Sequence, residues 1–494
     1  MQIRAAHEAA ASKALPAAAL FIGGERVTTG TTTMDRLDPT TGRVLGSFPV
    51  AGPDEVDRAV RAARRAFPAW RRMGADQRRR LLFDAAALLQ AAEEEFKVLV
   101  ALETGMPLQR SSVRSAVDYL EYYAGWTDKM AGELVASYPR QALDYVRYEP
   151  YGVIASLIPW NAPLITACKK LAPALAAGNC VVLKSPELGP FALMRLAELF
   201  AQAGLPDGVL SVLAGGPEVG QALIRHPDVS KVSFTGGTST ARNVMAIAAE
   251  STKPLILELG GKSANIVFAD ADLASAAQMA GHMATIASSG QGCLFPTRLL
   301  VQDQVYDEMV DRVRAVAEAA TIGDPLDLAV TMGPVISAQA CDRILGYVQE
   351  ATAAGAGKLV TGGARAGADL ADGFFVEPTV VVDVDNSSRI AQEEIFGPVL
   401  CVIPFHDDEE AVRIANDSPY ALAAYLHTND LGRAHRVVDD LDAGYVSINS
   451  FPSMTATAPF GGSKASGFGR EGGRVGIEEF LQTKNVYVSL EQRS

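Results

Sequence analysis

Val153-Ile-Ala-Ser-Leu-Ile158 and Val181-Val-Leu-Lys184 are short apolar runs separated by a helix-length stretch, and the rhythm continues through Val209–Leu213, Val232–Phe234 and Asn265–Phe268. Strand-length apolar runs alternating with helical stretches are the signature of βαβ units, which predicts a parallel sheet with helices on both faces. Such sheets take ligands beyond the carboxyl ends of their strands. The residues that directly follow each run are therefore the first place to look for chemistry.

On the N-terminal side, residues 1–19 are Ala-rich and read as a loose extension, and residues 20–50 as short strands with turns, including Asp38-Pro-Thr-Thr-Gly42. Residues 54–69 place Val56, Val60, Ala63 and Phe67 on one helical face, with Asp54 as the expected N-cap. Residues 76–103 repeat the pattern, and Glu103-Thr-Gly-Met-Pro107 ends it. After Arg298 a second α/β series is expected: strands at 298–302, 374–382 and 399–404, with helices near 303–318, 337–354 and 408–416. A strand at Gly444–Ile448, a Gly-rich loop, a short helix and a strand at 485–489 close the chain. There is no internal repeat and no low-complexity linker.

The 494 residues are enough for two to four domains at roughly 100–200 residues each. A net charge of −13 disfavours nucleic acid and anionic membranes as partners, and the basic run Arg78-Arg79-Arg80 reads as a solvated helix face. Five scattered cysteines, with no Cys-x-x-Cys pair, argue against a disulfide framework and fit a reducing, cytoplasmic setting. No apolar run approaches the ~20 residues of a membrane span. Ala14–Ile22 is apolar behind Arg4 and Lys13, but Glu8 and Pro16 interrupt a signal-peptide pattern. The six histidines lack the close pairing of metal ligands, so no metal is expected.

Five segments carry candidate chemistry. In Ser288-Ser-Gly-Gln-Gly-Cys293, two glycines leave the Cys293 sulfur accessible in a loop after a helix expected over 272–287. A lone cysteine is by default a small core residue; its company overturns that default. Leu255-Ile-Leu-Glu-Leu-Gly-Gly-Lys262 puts Glu258 at a strand end, where burial raises a carboxyl toward the range of a general base. Pro159-Trp-Asn-Ala-Pro163 holds the Asn161 amide rigid after a strand, as an oxyanion donor requires. Val232-Ser-Phe-Thr-Gly-Gly-Thr-Ser239 turns from a strand into a helix near Thr240 with free N–H groups suited to a pyrophosphate. By itself a tight structural turn explains that segment equally well. Val181-Val-Leu-Lys-Ser-Pro-Glu187 places Lys184 and Glu187 where ribose hydroxyls are held, and an acid there favours NAD over NADP.

Together with Gly290-Gln-Gly-Cys293, Glu393-Glu-Ile-Phe-Gly-Pro398 and Pro459-Phe-Gly-Gly-Ser463, these segments resemble the aldehyde dehydrogenase superfamily from about Phe21 to Val488. The resemblance implies a Rossmann-like dinucleotide-binding domain (1–131 and 151–261), an α/β catalytic domain (262–464) and a small β oligomerisation arm (132–150 and 480–494) in a homodimer or homotetramer. It implies Cys293 as nucleophile and Glu258 as base. Asn161 and the Cys293 N–H would hold the oxyanion, with Lys170 and Glu471 relaying protons. NAD, with NADP left open, would meet Ile158, Pro159, Trp160, Lys184, Ser185, Glu187, Gly236, Gly237, Ser239, Leu259, Gly260, Glu394 and Phe396. Gly237 stands where the family often has Ser, and Ala241 where it usually has Gly. The expected reaction is oxidation of an aldehyde to an acid through a Cys293 thioester, with the thiol pKa below the ~8.5 of free cysteine.

For the substrate, Ala162, Thr166 and Lys169 share a helix face, which the resemblance places on the aldehyde tunnel, with Phe451, Met454 and Phe460 as apolar walls. Lys169 is unusual there and suggests a polar or anionic aldehyde such as a semialdehyde, unless an acid fixes it. A hydrophobic or aromatic aldehyde remains an alternative. A CoA-acylating relative generally lacks the base, and a catalytically silent member should lack Cys293, Glu258 or Asn161.

Overall fold

The computed structural model describes residues 2–28, 32–139 and 141–490. The βαβ rhythm becomes a parallel core in which Leu210–Ala214, Cys180–Ser185, Val153–Leu157, Val229–Thr235 and Leu255–Glu258 lie side by side in that order. In chain order this is 3-2-1-4-5. The first and fourth strands are neighbours, so their connections leave in opposite directions and open a crevice between them. The first three of these strands are buried along their whole length. Burial on both faces is why they read as continuous apolar runs rather than as alternations. An antiparallel hairpin, Leu20–Ile22 with Glu25–Val27, extends one edge, and Gly467–Phe468 pairs antiparallel with Leu257 and Glu258 at the other.

The chain crosses to a second sheet through Leu259–Ser263. The order there is Lys358–Thr361, Thr379–Val382, Val399–Phe405, Arg298–Gln302, Ala264–Val267, Ala423–His427 and Tyr445–Ile448, parallel except at the first strand. The α/β class with two parallel-cored sheets is thus as expected. A third, antiparallel sheet joins Glu133–Val135, Ala142–Pro150 and Leu481–Ser489, the last two paired from Leu481↔Pro150 to Ser489↔Ala142. Residue 140 and residues 491–494 of the expected arm lie outside the described residues, as do residues 1 and 29–31 of the N-terminal portion.

Several local expectations are corrected. Residues 1–19 are not a loose extension: Gln2–Ala14 is a helix, tied down by His7, whose Nδ1 and Nε2 each lie 2.7 Å from a carboxylate, of Asp38 and Asp324 respectively. The first long helix is Pro53–Trp70, capped by Gly52 rather than Asp54. Pro53 fits the first helical position, and Glu55 reaches back to accept from the Gly52 N–H at 2.8 Å. Residues 76–103 form two helices, Ala75–Ala91 and Glu93–Thr104. The strand expected over 374–382 is confined to Thr379–Val382, because Pro378 has no N–H to give a ladder. The last strand begins at Leu481, not 485. The helix before Cys293 ends at Gly281 and gives way to irregular turns.

Candidate active site

Four parallel strands of the first sheet end at one cleft of about 520 Å³, whose far wall comes from Cys293, Ile336, Ser337, Ala340, Arg343, Glu394 and Phe396. The loop carrying Cys293 is built under strain. A π-turn at His282–Ile286 leads into Ser288 and Ser289 with φ of 46° and 54°, in the left-handed region that non-glycine residues seldom adopt. Such conformations persist where surrounding bonds over-determine them. Here Ser289 Oγ donates to the Gly333 carbonyl at 2.7 Å, Ile336 N–H to Gln291 Oε1 at 3.0 Å, and Asn161 Nδ2 to the Gln291 carbonyl at 3.1 Å. The two glycines after Glu258 are required by close approach. A Cβ on Gly261 would stand 2.6 Å from the Cys293 carbonyl oxygen, and one on Gly260 would run into the Glu394 carboxylate.

Glu258 is buried, and its Oε1 has no protein hydrogen-bond partner. Burial pushes its carboxyl up to about 7, with Lys169 opposing and Glu471 assisting. The expectation of a lowered thiol pKa is overturned. Burial and the Glu258 and Glu394 carboxylates push Cys293 well above the free thiol, and Lys169 pulls the other way. The sulfur therefore rests as a thiol in the field of the Glu258 carboxylate.

Behind Glu258, the buried Glu471 carboxylate is shared. Lys170 Nζ donates to it at 2.5 Å and to Ser233 Oγ at 2.9 Å, and Lys169 Nζ pairs with its other oxygen at 2.8 Å. Burial opposes the Glu471 charge, yet the two ammonium groups hold its pKa at about 2.

Most of the residues expected to meet a dinucleotide border the cleft. Ile158, Pro159, Trp160, Lys184, Glu187, Gly236, Gly237, Ser239, Leu259, Gly260, Glu394 and Phe396 all line it. Ser185 does not: it is fully buried beneath. Helix Thr238–Ala249 starts at the cleft, two residues earlier than expected; Gly237 caps it without a side-chain bond, and nothing lies within 4 Å of where a Gly237 Cβ would stand. Uncapped N–H groups, a helix dipole and open space fit a diphosphate. Lys184 Nζ lies 3.0 Å from Glu187, and the Trp160 and Phe396 rings meet edge to face at 5.5 Å. A dinucleotide fits these residues.

The substrate expectations divide. Phe460 and, less deeply, Met454 pack with Leu294, Phe295, Tyr425 and Cys293 in one apolar cluster, whereas Phe451 is 43% exposed. Thr166 and Lys169 are buried, and Lys169 is fixed by Glu471, the case that sequence left open against a free cation. Ile336, Ser337, Ala340 and Arg343 were not anticipated. They carry no motif, and only the fold of the second sheet brings them to the cleft.

Residues 27–486 match the sequence profile of the aldehyde dehydrogenase family. The chain belongs to that family. This aldehyde dehydrogenase is 42% identical over 485 residues to a betaine aldehyde dehydrogenase of Sinorhizobium fredii, covering 97% of this chain and 98% of the relative. It superposes on a putative aldehyde dehydrogenase of Burkholderia cenocepacia with a TM-score of 0.93 at 40% identity, over 95% and 97% of the two chains. With a betaine aldehyde dehydrogenase of Staphylococcus aureus in complex with NAD+ the TM-score is 0.95 at 36% identity, over 98% and 97%. It is an NAD(P)-dependent aldehyde oxidoreductase. Among its described residues, no group of His, Cys, Asp and Glu could hold a metal ion, and no helix is long and apolar enough to cross a membrane.

Proposed function

We propose that this enzyme uses NAD to oxidise a polar aldehyde to its acid through a thioester on Cys293. The observation that carries the reading is that Cys293, the buried Glu258 and Asn161 line one dinucleotide-sized cleft. Glu258 takes the thiol proton as Sγ attacks the aldehyde carbon. Asn161 uses one of its two N–H donors on Gln291, which orients the amide, and keeps the second for the oxyanion. The Cys293 backbone N–H is the second donor. When bound, the nicotinamide supplies the hydride acceptor. Glu258 must release the thiol proton before hydrolysis, and Lys170 with Glu471 offers it a path away from the cleft; with the thioester formed, the regenerated carboxylate deprotonates water. Glu258 is the base that a CoA-acylating enzyme lacks, so water rather than CoA is the expected acceptor.

Lys184 and Glu187 hold the adenosine ribose in this reading, and the Glu187 acid favours NAD over a 2′-phosphate. Relatives solved with NAD+ support the same choice. The three-stranded sheet of Glu133–Val135, Ala142–Pro150 and Leu481–Ser489 serves as an arm between subunits of a homodimer or homotetramer. Five free cysteines suit a reducing, cytoplasmic compartment. A panel of aldehydes assayed by NADH absorbance, with and without CoA, tests the proposal. Turnover that requires CoA, or none with any aldehyde, would overturn it.

A further inference from the structure

Gln291 stands between Gly290 and Gly292 in the loop that leads to Cys293. It is 4% exposed and does not line the cleft that Asn161 and Cys293 share. Burying an amide side chain is costly unless its polar atoms are bonded, and here they are. The Gln291 backbone N–H and Nε2 both donate to the Ser288 carbonyl, at 3.0 and 3.2 Å. Its Oε1 accepts from the Ile336 N–H at 3.0 Å, and its carbonyl accepts from Asn161 Nδ2 at 3.1 Å. Three of these bonds hold Gln291 itself, and the fourth reaches the oxyanion donor.

The three holding bonds end on fixed ground. Ser288 is locked in the left-handed region, and Ile336 leads into Ser337, whose Oγ accepts from the Ala340 N–H at 3.2 Å to cap the helix Ala338–Ala353. The flanking backbone is packed too closely to slip: a Cβ on Gly290 would stand 2.2 Å from the Gly397 carbonyl oxygen, and one on Gly292 2.6 Å from the Phe295 ring. Asn161 is less constrained. Among the described residues its side chain has one hydrogen-bond partner, the Gln291 carbonyl. Trp160, Asn161, Ser288 and Gln291 also border a void of about 10 Å³, near the least that holds one water. An amide released from Gln291 has that void to turn into.

An oxyanion donor acts only if it is aimed before the charge develops, and a displacement of about 1 Å can cost about 10²-fold in rate. We infer that Gln291 is the positioning residue for the oxyanion donor: its side chain, bonded to Ile336 and Ser288, fixes the carbonyl that aims the Asn161 amide. This rests on the aldehyde oxidation proposed above.

The test is a double-mutant cycle on the full-length enzyme. It combines Asn161→Ala with Gln291→Met, which nearly keeps the side-chain volume and removes both side-chain bonds. Two quantities are read. One is the Kd for NAD from quenching of tryptophan fluorescence, which also counts folded sites. The other is the single-turnover rate of NADH formation per site, with the fastest of betaine aldehyde, propionaldehyde and succinic semialdehyde. Gln291→Met should slow that turnover by about tenfold to 10²-fold and leave the Kd for NAD within about twofold of wild type. In the Asn161→Ala background the same change should cost less than about threefold, because the group it aims is gone. Equal losses in both backgrounds, or a Kd for NAD raised as much as the rate falls, show that Gln291 props up the Cys293 loop or the cleft, and overturn the inference. If Gln291→Met binds no NAD, the cycle is run with Gln291→Glu, which keeps an acceptor for the Ile336 N–H; loss of NAD binding there too overturns it. Wild type that forms no NADH with any of the three aldehydes sinks aldehyde oxidation as well.

Discussion

Glu258 and Cys293 face one cleft, a raised carboxyl beside a raised thiol, and this makes the enzyme's pH response a property of two side chains. A carboxyl raised to about 7 is protonated below that pH and cannot accept the thiol proton. kcat/KM should therefore rise with pH through about 7, and the limb should vanish in Glu258→Gln along with most of the activity; a stopped assay across pH 5.5 to about 9 reads it directly. Asn161→Ala removes one oxyanion donor and should lower kcat by about 10²–10³ with little change in KM. If KM moved instead, Asn161 would be holding ground-state substrate. These three residues were legible because each sits in a motif whose prolines or glycines have a steric reason, such as the 2.6 Å approach of the Cys293 carbonyl to Gly261. The resting state of the thiol was not legible. It depends on carboxylates at 258 and 394, which only the folded chain brings to it.

At the scale of elements, the N-terminal helix shows what sequence pattern could not convey. Gln2–Ala14 has little apolar periodicity to announce it, and its anchor is one imidazole between carboxylates 31 and 317 residues away. Burial disfavours the His7 charge, but the hydrogen bonds to Asp324 and Asp38 prevail and raise its pKa to about 9. A histidine raised in the folded state contributes stability that is fully present below its unfolded value of about 6.5 and is lost as pH climbs through about 9. His7→Ala should cost about 1–3 kcal/mol at pH 6 by removing one hydrogen bond and the counter-charge from each carboxylate, which keep only their bonds to Thr40, Thr41 and Leu326. Urea melts of wild type should weaken between pH 6.5 and 10 more than those of His7→Ala, and equal slopes would refute the clamp. The parallel strands, by contrast, were plain in the sequence because both their faces are buried. Their helices' ends were misjudged where a cap lay outside the run, as with Gly52, or where a turn replaced the helix, as at His282–Ile286.

For the whole molecule, the two sheets and the cleft between them followed from rhythm and motif, but the cleft's far wall did not. Ile336, Ser337 and Arg343 arrive by tertiary packing alone, with no local signature. The antiparallel sheet that ends in Leu481–Ser489 leaves most of that last strand exposed, including Tyr487 at 51% and Val488 at 44%. Ending the chain after Phe480 should remove an edge strand with nine paired residues and leave Ala142–Pro150 open on one side. Light scattering should then report a smaller assembly or aggregation; an unchanged mass would show that the strand has no part in association.

The short pairing of Gly467–Phe468 with Leu257 and Glu258 bears on how the protein is made. A ribosome extends the chain by about 5–20 residues per second, so the sheet edge that bears Glu258 waits for a partner, Gly467, that lies 467 − 258 = 209 residues downstream. Until then, the nascent chain carries an unsealed ladder and an unfinished reaction chamber. A chain ended before Gly467 should leave that ladder open and lose turnover, which NADH formation by such a truncation would check.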